Sequence, residues 1–175
     1  MLEEKIKSVI RDVPDFPKPG ILFKDITPIL HLPQLCNEIV SEFAKQFSDK
    51  KIDAIVGVES RGFLFGFALA AKMKIPFVLV RKAGKLPYKK IAYEYDLEYG
   101  SSKVEMQVND IKSGWNVLIH DDLLATGGTA EAAARLIQMQ NGKVAGFAFL
   151  VELEFLKGKE RLLQYSDQVV SLVTY

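Results

Sequence analysis

The sequence predicts an α/β domain with a mainly parallel central sheet flanked by helices, and three observations predict it. Short β-branched apolar runs recur along the chain and read as strands buried on both faces. Segments with helical spacing of apolar residues lie between them. The chain, 175 residues with 49% hydrophobic content, has room for one core, and no repeat, low-complexity tract or linker divides it.

Taken in order, Leu2 to Val13 has helical spacing. PDFPKPG, from Pro14 to Gly20, and the ILFKD after it read as proline-bound coil, because three prolines fix the backbone and remove donors. Pro33 to Phe47 reads as a second helix, with Leu35, Ile39, Val40 and Phe43 on one face and Pro33 in its first turn. DAIVGVES, from Asp53 to Ser60, reads as a buried parallel strand and RGFLFGFALAAKM as the helix covering it. IPFVLVRK is a second strand, ending at Arg81.

The character then changes. AGKLPYKK carries Gly84, Pro87 and the lysines Lys85, Lys89 and Lys90, of which Lys89 and Lys90 read as a solvated face. IAYEYDLEYG and KVEMQV alternate with period two around Gly100-Ser101-Ser102, which predicts an antiparallel hairpin at a sheet margin. NVLIHDD is a third buried strand, followed by an alanine-rich helix; GFAFLVEL is a fourth and QVVSLV a fifth. Strand and helix alternate, as a parallel sheet requires.

Composition excludes several classes. Lysine plus arginine (23) nearly balance aspartate plus glutamate (22), so no global field points to nucleic acid or an anionic membrane. No apolar run reaches membrane-spanning length, and MLEEKIKSVIRDV is amphipathic and charged, unlike a signal peptide. The expectation is a cytoplasmic domain. The single cysteine, Cys36, reads as a small buried hydrophobe. His31 and His120 have no partner at metal-ligand spacing.

Ligands of open α/β sheets bind outside the carboxyl ends of the strands. Three predicted strand ends carry unusual residues: Glu59-Ser60-Arg61-Gly62, Arg81-Lys82 with Lys85, and VLIHDDLLATGGT. They should face one crevice. In the last, the small residues Ala125, Thr126, Gly127, Gly128 and Thr129 run into a helix N-terminus and would aim backbone N–H groups and hydroxyls at one point. That is a phosphate cradle, lacking the Gly-Lys-Ser/Thr of nucleotide triphosphate loops and the Gly-x-Gly-x-x-Gly of dinucleotide sites. Asp121 and Asp122 would repel a lone phosphate but suit a ligand with hydroxyls beside it, since carboxylates accept and hydroxyls donate. A ribose 5-phosphate satisfies both halves. The duller alternative is a capped helix after a strand, with Asp122 merely turned outward.

VLIHDDLLATGGT resembles the phosphoribosyl pyrophosphate motif of type I phosphoribosyltransferases. DFPKPGILFKDITPIL, VGVESRGFLFG, VLVRKAGKLP, DLEYG and LVELEFLKG are similar, in the same order, to blocks of the adenine phosphoribosyltransferase family and cover nearly the whole chain. The resemblance implies one catalytic domain with an N-terminal hood over about residues 1–32 and a flap over about 81–108. It implies Ala125 to Thr129 on the 5-phosphate and Asp121 and Asp122 on the ribose hydroxyls. Ser60, Arg61, Arg81, Lys82 and Lys85 would hold pyrophosphate, partly from the neighbouring subunit of a homodimer. Leu22 and Lys24 would flank adenine through backbone groups, with Phe23 stacked on the ring. Glu98 would accept the purine proton, with Tyr99 beside it on the flap and Arg61 supporting the leaving charge. Mg²⁺ would bridge pyrophosphate and ribose hydroxyls without direct protein ligands. The implied substrates are adenine and phosphoribosyl pyrophosphate, with no nucleic acid or membrane partner.

The residues themselves leave rivals. Phe23 also reads as core, and Glu98 as a hairpin surface acid that only the LEYG match marks out. Gly84 and Gly100 are candidate hinges. Two positions depart from the family pattern: Tyr88 stands where LPG is common, and His120 where an aliphatic residue is usual. His120 reads as a packing or supporting residue, with the alternative that it tunes the charge of the aspartate pair near neutral pH. Another purine would satisfy the same motifs. A substrate-sensing DNA-binding regulator of the same fold would need a basic face and an appended segment, which the chain lacks.

Overall fold

The computed structural model describes residues 1–96 and 100–175. Its elements run α1 (Leu2–Val9), β1 (Arg11–Pro14), β2 (Leu22–Asp25), α2 (Pro33–Gln46), β3 (Ala54–Val58), α3 (Gly62–Met73), β4 (Phe77–Lys82), β5 (Lys90–Asp96), β6 (Ser101–Gln107), β7 (Asn116–Leu124), α4 (Gly128–Met139), β8 (Lys143–Glu152), α5 (Gly158–Leu162) and β9 (Val169–Thr174), with short 3₁₀ turns at Thr27–His31 and Glu154–Leu156. Seven strands form one sheet in the order β5-β6-β4-β3-β7-β8-β9. β3, β4, β7, β8 and β9 are mutually parallel, and the antiparallel β5–β6 hairpin joins at β4.

Both faces of this sheet are covered, which is why its central strands are continuously apolar. On β3 and β7 the side chains alternate: Ile55 and Leu118 join Ile39, Phe43, Phe65 and Leu69 under α2 and α3. Val56 and Ile119 turn to the other face, against Ala133, Leu136 and Ile137 of α4. The alanines of α4, four of them buried, let it lie close to the sheet and reach the hairpin, where Ile91, Tyr93 and Tyr95 of β5 pack on the same cluster. Cys36 is half-buried, its thiol 3.3 Å from the Ile29 carbonyl, and not deeply enclosed as expected.

Two N-terminal expectations are corrected. The first helix stops at Val9, and Arg11 to Pro14 form β1. ILFKD is not coil: Leu22 to Asp25 pair antiparallel with β1 in a separate two-stranded sheet, register Val13 to Phe23. Each strand is only four residues long, too short for an alternation to register, and Pro14 is tolerated because it ends a free edge. The intervening loop is closed by the Gly20 N–H donating to Asp15 Oδ1 at 2.7 Å.

β7 also runs further than expected. It passes through Asp121 and Asp122 to Leu124, because β8 continues to pair with it as far as Glu152. Beside it, α3 begins at Gly62, where an added Cβ would sit 2.9 Å from Asp121 Oδ1 and 3.0 Å from the His120 carbonyl. Helix propensity alone would favour alanine there by up to about 1 kcal/mol. Gly62→Ala should nevertheless lower stability by about 1–3 kcal/mol through overpacking, visible as a thermal midpoint several degrees lower. An unchanged or raised midpoint would show that the approach of α3 to β7 can relax freely.

Candidate active site

The carboxyl ends of β3, β4 and β7 open into one cleft of about 380 Å³, whose walls include Ser60, Arg61, Arg81, Lys82, Asp121, Asp122 and Thr129. The three strand-end motifs therefore meet, as their sequence pattern predicts. Adjoining it, Ala125 to Thr129 wrap a smaller recess of about 80 Å³ backed by Phe149. Asp121 and Thr129 line both cavities.

The recess owes its shape to two glycines. Gly127 caps α4 in the left-handed region, φ +83°, a conformation that side chains with a Cβ resist. Gly158, at the start of α5, packs on it from behind; a Cβ on Gly158 would collide with the Ala125 carbonyl and lie 3.0 Å from the Gly127 nitrogen. Gly158 belongs to the quoted LVELEFLKG segment but carries no phosphate-like signature, so spacing could not have marked it.

Much of the charge at the cleft is paired within the chain. Arg61 Nε lies 2.6 Å from Asp122 Oδ2, an ion pair by distance although not aligned as a hydrogen bond. The same guanidinium sits over the Phe23 ring at 5.0 Å, so the hood reaches the cleft through Phe23. Asp121 Oδ1 accepts from the Asp122 N–H at 2.8 Å. Burial, then the neighbouring Asp122 charge, push the Asp121 carboxyl well above the usual carboxylate range, against the pull of Arg61.

Glu59, to which the sequence assigned no role, organises the cations. Its side chain is 8% exposed and accepts from Lys85 Nζ at 3.0 Å and Arg81 Nη2 at 3.2 Å. The Lys82 N–H donates to its other oxygen at 2.9 Å. Burial opposes ionisation, but these three donors outweigh it and hold Glu59 down to about 2. A second buried carboxylate, Glu105 on β6, accepts from the Gly84 N–H at 3.1 Å and pairs with Lys90 at 3.3 Å. Lys90 is therefore not merely a solvated charge. Gly84 and Gly100 both adopt positive φ, +85° and +93°, and so does Tyr88, φ +65°.

In the hood, Lys24 is committed: Nζ lies 2.6 Å from Asp12 Oδ1 and 3.9 Å over the Tyr175 ring. Leu22 is half exposed, and Phe23 is braced edge-on by Phe16 at 5.0 Å. Glu98 and Tyr99 lie outside the described residues.

His120 fits the packing reading and not the charge-tuning alternative. It is fully buried, packed edge-on against Phe43 at 5.3 Å, with neither ring nitrogen hydrogen-bonded. Burial pulls it down to about 4, and the Ala148 carbonyl, too poorly placed to accept a hydrogen bond, opposes this only in part. It is neutral at physiological pH, and the charges acting on Asp121 come from Asp122 and Arg61.

The fold and this site define a phosphoribosyltransferase. The model of the phosphoribosyl transferase domain matches residues 24–173, and the chain belongs to that family. Its relatives narrow the group. An adenine phosphoribosyltransferase of Cytophaga hutchinsonii is 49% identical over 100% of this chain and 97% of its own length. The crystal structure of adenine phosphoribosyltransferase from Thermoanaerobacter pseudethanolicus superposes with a TM-score of 0.96 at 46% identity, covering 100% of both chains. The Saccharomyces cerevisiae enzyme, complexed with an imino-altritol bisphosphate and adenine, superposes at 0.91 with 42% identity over 98% of each chain.

The buried histidine gives a pH test. Unfolded, His120 titrates near 6.5; folded, near 4. Between those values the unfolded chain binds the extra proton, so stability is full above the upper value and falls as pH drops through the window. By about pH 4.5 the loss should reach about 2–3 kcal/mol. Urea unfolding of the wild type and His120→Val at neutral and mildly acidic pH should show this component only in the wild type, and the pH–rate profiles from about pH 6 to 8 should coincide. Diverging profiles would restore a charge-tuning role.

Proposed function

We propose that the protein transfers the phosphoribosyl group of phosphoribosyl pyrophosphate to adenine, releasing AMP and pyrophosphate, as a purine-salvage transferase. The observation that carries this reading is that Asp121 and Thr129 line both the cleft and the recess. One ligand with a phosphate at one end, hydroxyls in the middle and a pyrophosphate at the other fits that sequence of groups. Ala125 to Thr129 take the 5-phosphate, Asp121 and Asp122 the ribose hydroxyls, and Ser60, Arg61, Arg81, Lys82 and Lys85 the pyrophosphate. Adenine lies over Phe23, with backbone groups of Leu22 and Lys24 at its edge. The ion pair of Lys24 with Asp12 supports a backbone role for that residue.

As the C1′–oxygen bond to pyrophosphate breaks, Arg61 and Lys82 stabilise the developing negative charge. The base nitrogen bonds to C1′ and loses its proton to Glu98. Orientation of base and sugar by the hood and the cradle supplies the remaining advantage. The pyrophosphate and ribose oxygens of the substrate, which Asp121 and Asp122 would orient through the hydroxyls, are donors of the kind Mg²⁺ favours. When bound through substrate and water, that ion would neutralise pyrophosphate charge. We also place a second copy of the chain against α3, where Leu64 is 45% and Phe67 64% exposed and where Phe63 and Phe67 both meet Phe77 edge-on. The working form is a homodimer.

A spectrophotometric assay with phosphoribosyl pyrophosphate, Mg²⁺ and each purine in turn should yield AMP from adenine. Preference for hypoxanthine, guanine or xanthine would overturn the base assignment, and no product from any purine would end the reading. Glu98→Ala should cost about 10²–10⁴ in kcat with adenine affinity nearly unchanged. Gly158→Ala should raise the KM for phosphoribosyl pyrophosphate roughly tenfold, as expected for about one disrupted phosphate hydrogen bond, and leave the KM for adenine unaltered.

A further inference from the structure

Among the described residues, one side-chain hydrogen bond joins the β5–β6 hairpin to the phosphate recess. Tyr95 Oη lies 3.0 Å from Thr129 Oγ1, and either hydroxyl can be the donor. The Tyr95 ring flanks the recess wall as well, since a Cβ on Gly128 would sit 3.5 Å from its Cδ2. Tyr95 pairs with Ser102 across the hairpin and is half-buried against the α4 core with Ile91 and Tyr93. Thr129, in the first turn of α4, lines both the recess and the cleft.

We propose that Tyr95 is a positioning residue that couples the hairpin to occupancy of the phosphate recess. The proposal rests on the recess binding a phosphate ester, as in the function proposed above. Each hydroxyl carries one proton and two lone pairs. With the recess empty, the Tyr95–Thr129 bond runs in either direction. A phosphate oxygen only accepts, so Thr129 donates to it and its lone pair receives the Tyr95 proton. The bonds then point one way, from Tyr95 to Thr129 to phosphate, and each strengthens the next. The strand so fixed leads to Glu98 three residues later in the chain. Phosphate capture thereby holds in place the strand that ends at Asp96, two residues before the proposed proton acceptor in the chain.

The test uses ribose 5-phosphate, which has no base, so its outcome is independent of purine choice. Amide hydrogen exchange of peptides from β5 and β6 is followed in wild type, Tyr95→Phe and Tyr93→Phe, with ligand affinity measured by calorimetry. In wild type, ribose 5-phosphate should slow hairpin exchange about 3- to 10-fold, the worth of one hydrogen bond. Tyr95→Phe keeps the ring and its packing but should lose that slowing while still binding the ligand. Tyr93→Phe, which removes a hydroxyl from the same strand without touching the recess, should respond as wild type does. Slowing that persists in Tyr95→Phe, or that disappears equally in Tyr93→Phe, overturns the coupling. Wild-type binding with no change in exchange overturns it too, leaving the proposed function intact. Failure of the wild type to bind ribose 5-phosphate overturns both.

Discussion

The close approach of α3 to the end of β7 is the constraint on which the rest of the site depends. At Gly62 the helix backbone and the Asp121 side chain share a space in which a Cβ would come within 2.9 Å of an oxygen. A larger residue would lift the helix and withdraw Arg61, the residue just before it. With glycine there, Arg61 reaches Asp122 at 2.6 Å and at the same time lies over Phe23 of the hood. One missing side chain thus ties the aspartate pair, the turn between β3 and α3 and the proposed base site into a single geometry.

Electrostatics follows from that crowding. Two adjacent carboxylates at a buried strand end cannot both ionise cheaply, and the structure resolves this by raising Asp121 and giving Asp122 a guanidinium partner. Glu59 goes the opposite way: three donors hold it ionised. It occupies the place where Arg81 and Lys85 would otherwise repel each other, and it leaves Lys82 held there through its backbone N–H. Three of the four cations are therefore already partnered before any anion enters, Arg61 by Asp122 and both Arg81 and Lys85 by Glu59. An incoming pyrophosphate must draw Arg81 and Lys85 from an existing partner, which favours a ligand with several negative oxygens over a single carboxylate.

The sheet was legible because burial on both faces forces long apolar runs and because the α4 pattern is strongly periodic. The cradle was legible because glycines and threonines before a helix have few other uses. The hood strands were not. Four residues each, ending in proline on one side, they are defined by pairing with each other and not by any local pattern. The extension of β7 past Asp122 to Leu124 was hidden for a related reason: the acids read as the end of the strand, yet β8 goes on pairing beyond them to Glu152. Glu59, Tyr95 and Gly158 act through contacts with residues 22 to 34 positions away, distances that spacing along the chain does not encode. His120 was legible as a packing residue: its neighbours in sequence are the acids, while its neighbours in space are Phe43 and Gly66.

The proposed base site and the proposed phosphate recess are supported from different parts of the fold. The recess is built on β7, α4 and α5. The hood strand β2 is anchored by Lys24, whose ammonium is shared between Asp12 of β1 and the Tyr175 ring just beyond β9. β9 is the edge strand farthest from the β5–β6 hairpin. Substitutions that loosen Tyr175 or Asp12 act on the hood without touching the cradle, and changes at Gly158 act on the cradle without touching the hood. Arg61 is the point where the two supports meet, in contact with Phe23 on one side and Asp122 on the other. Its geometry, more than that of any residue lining only one half of the cleft, fixes where Phe23 lies relative to Asp122.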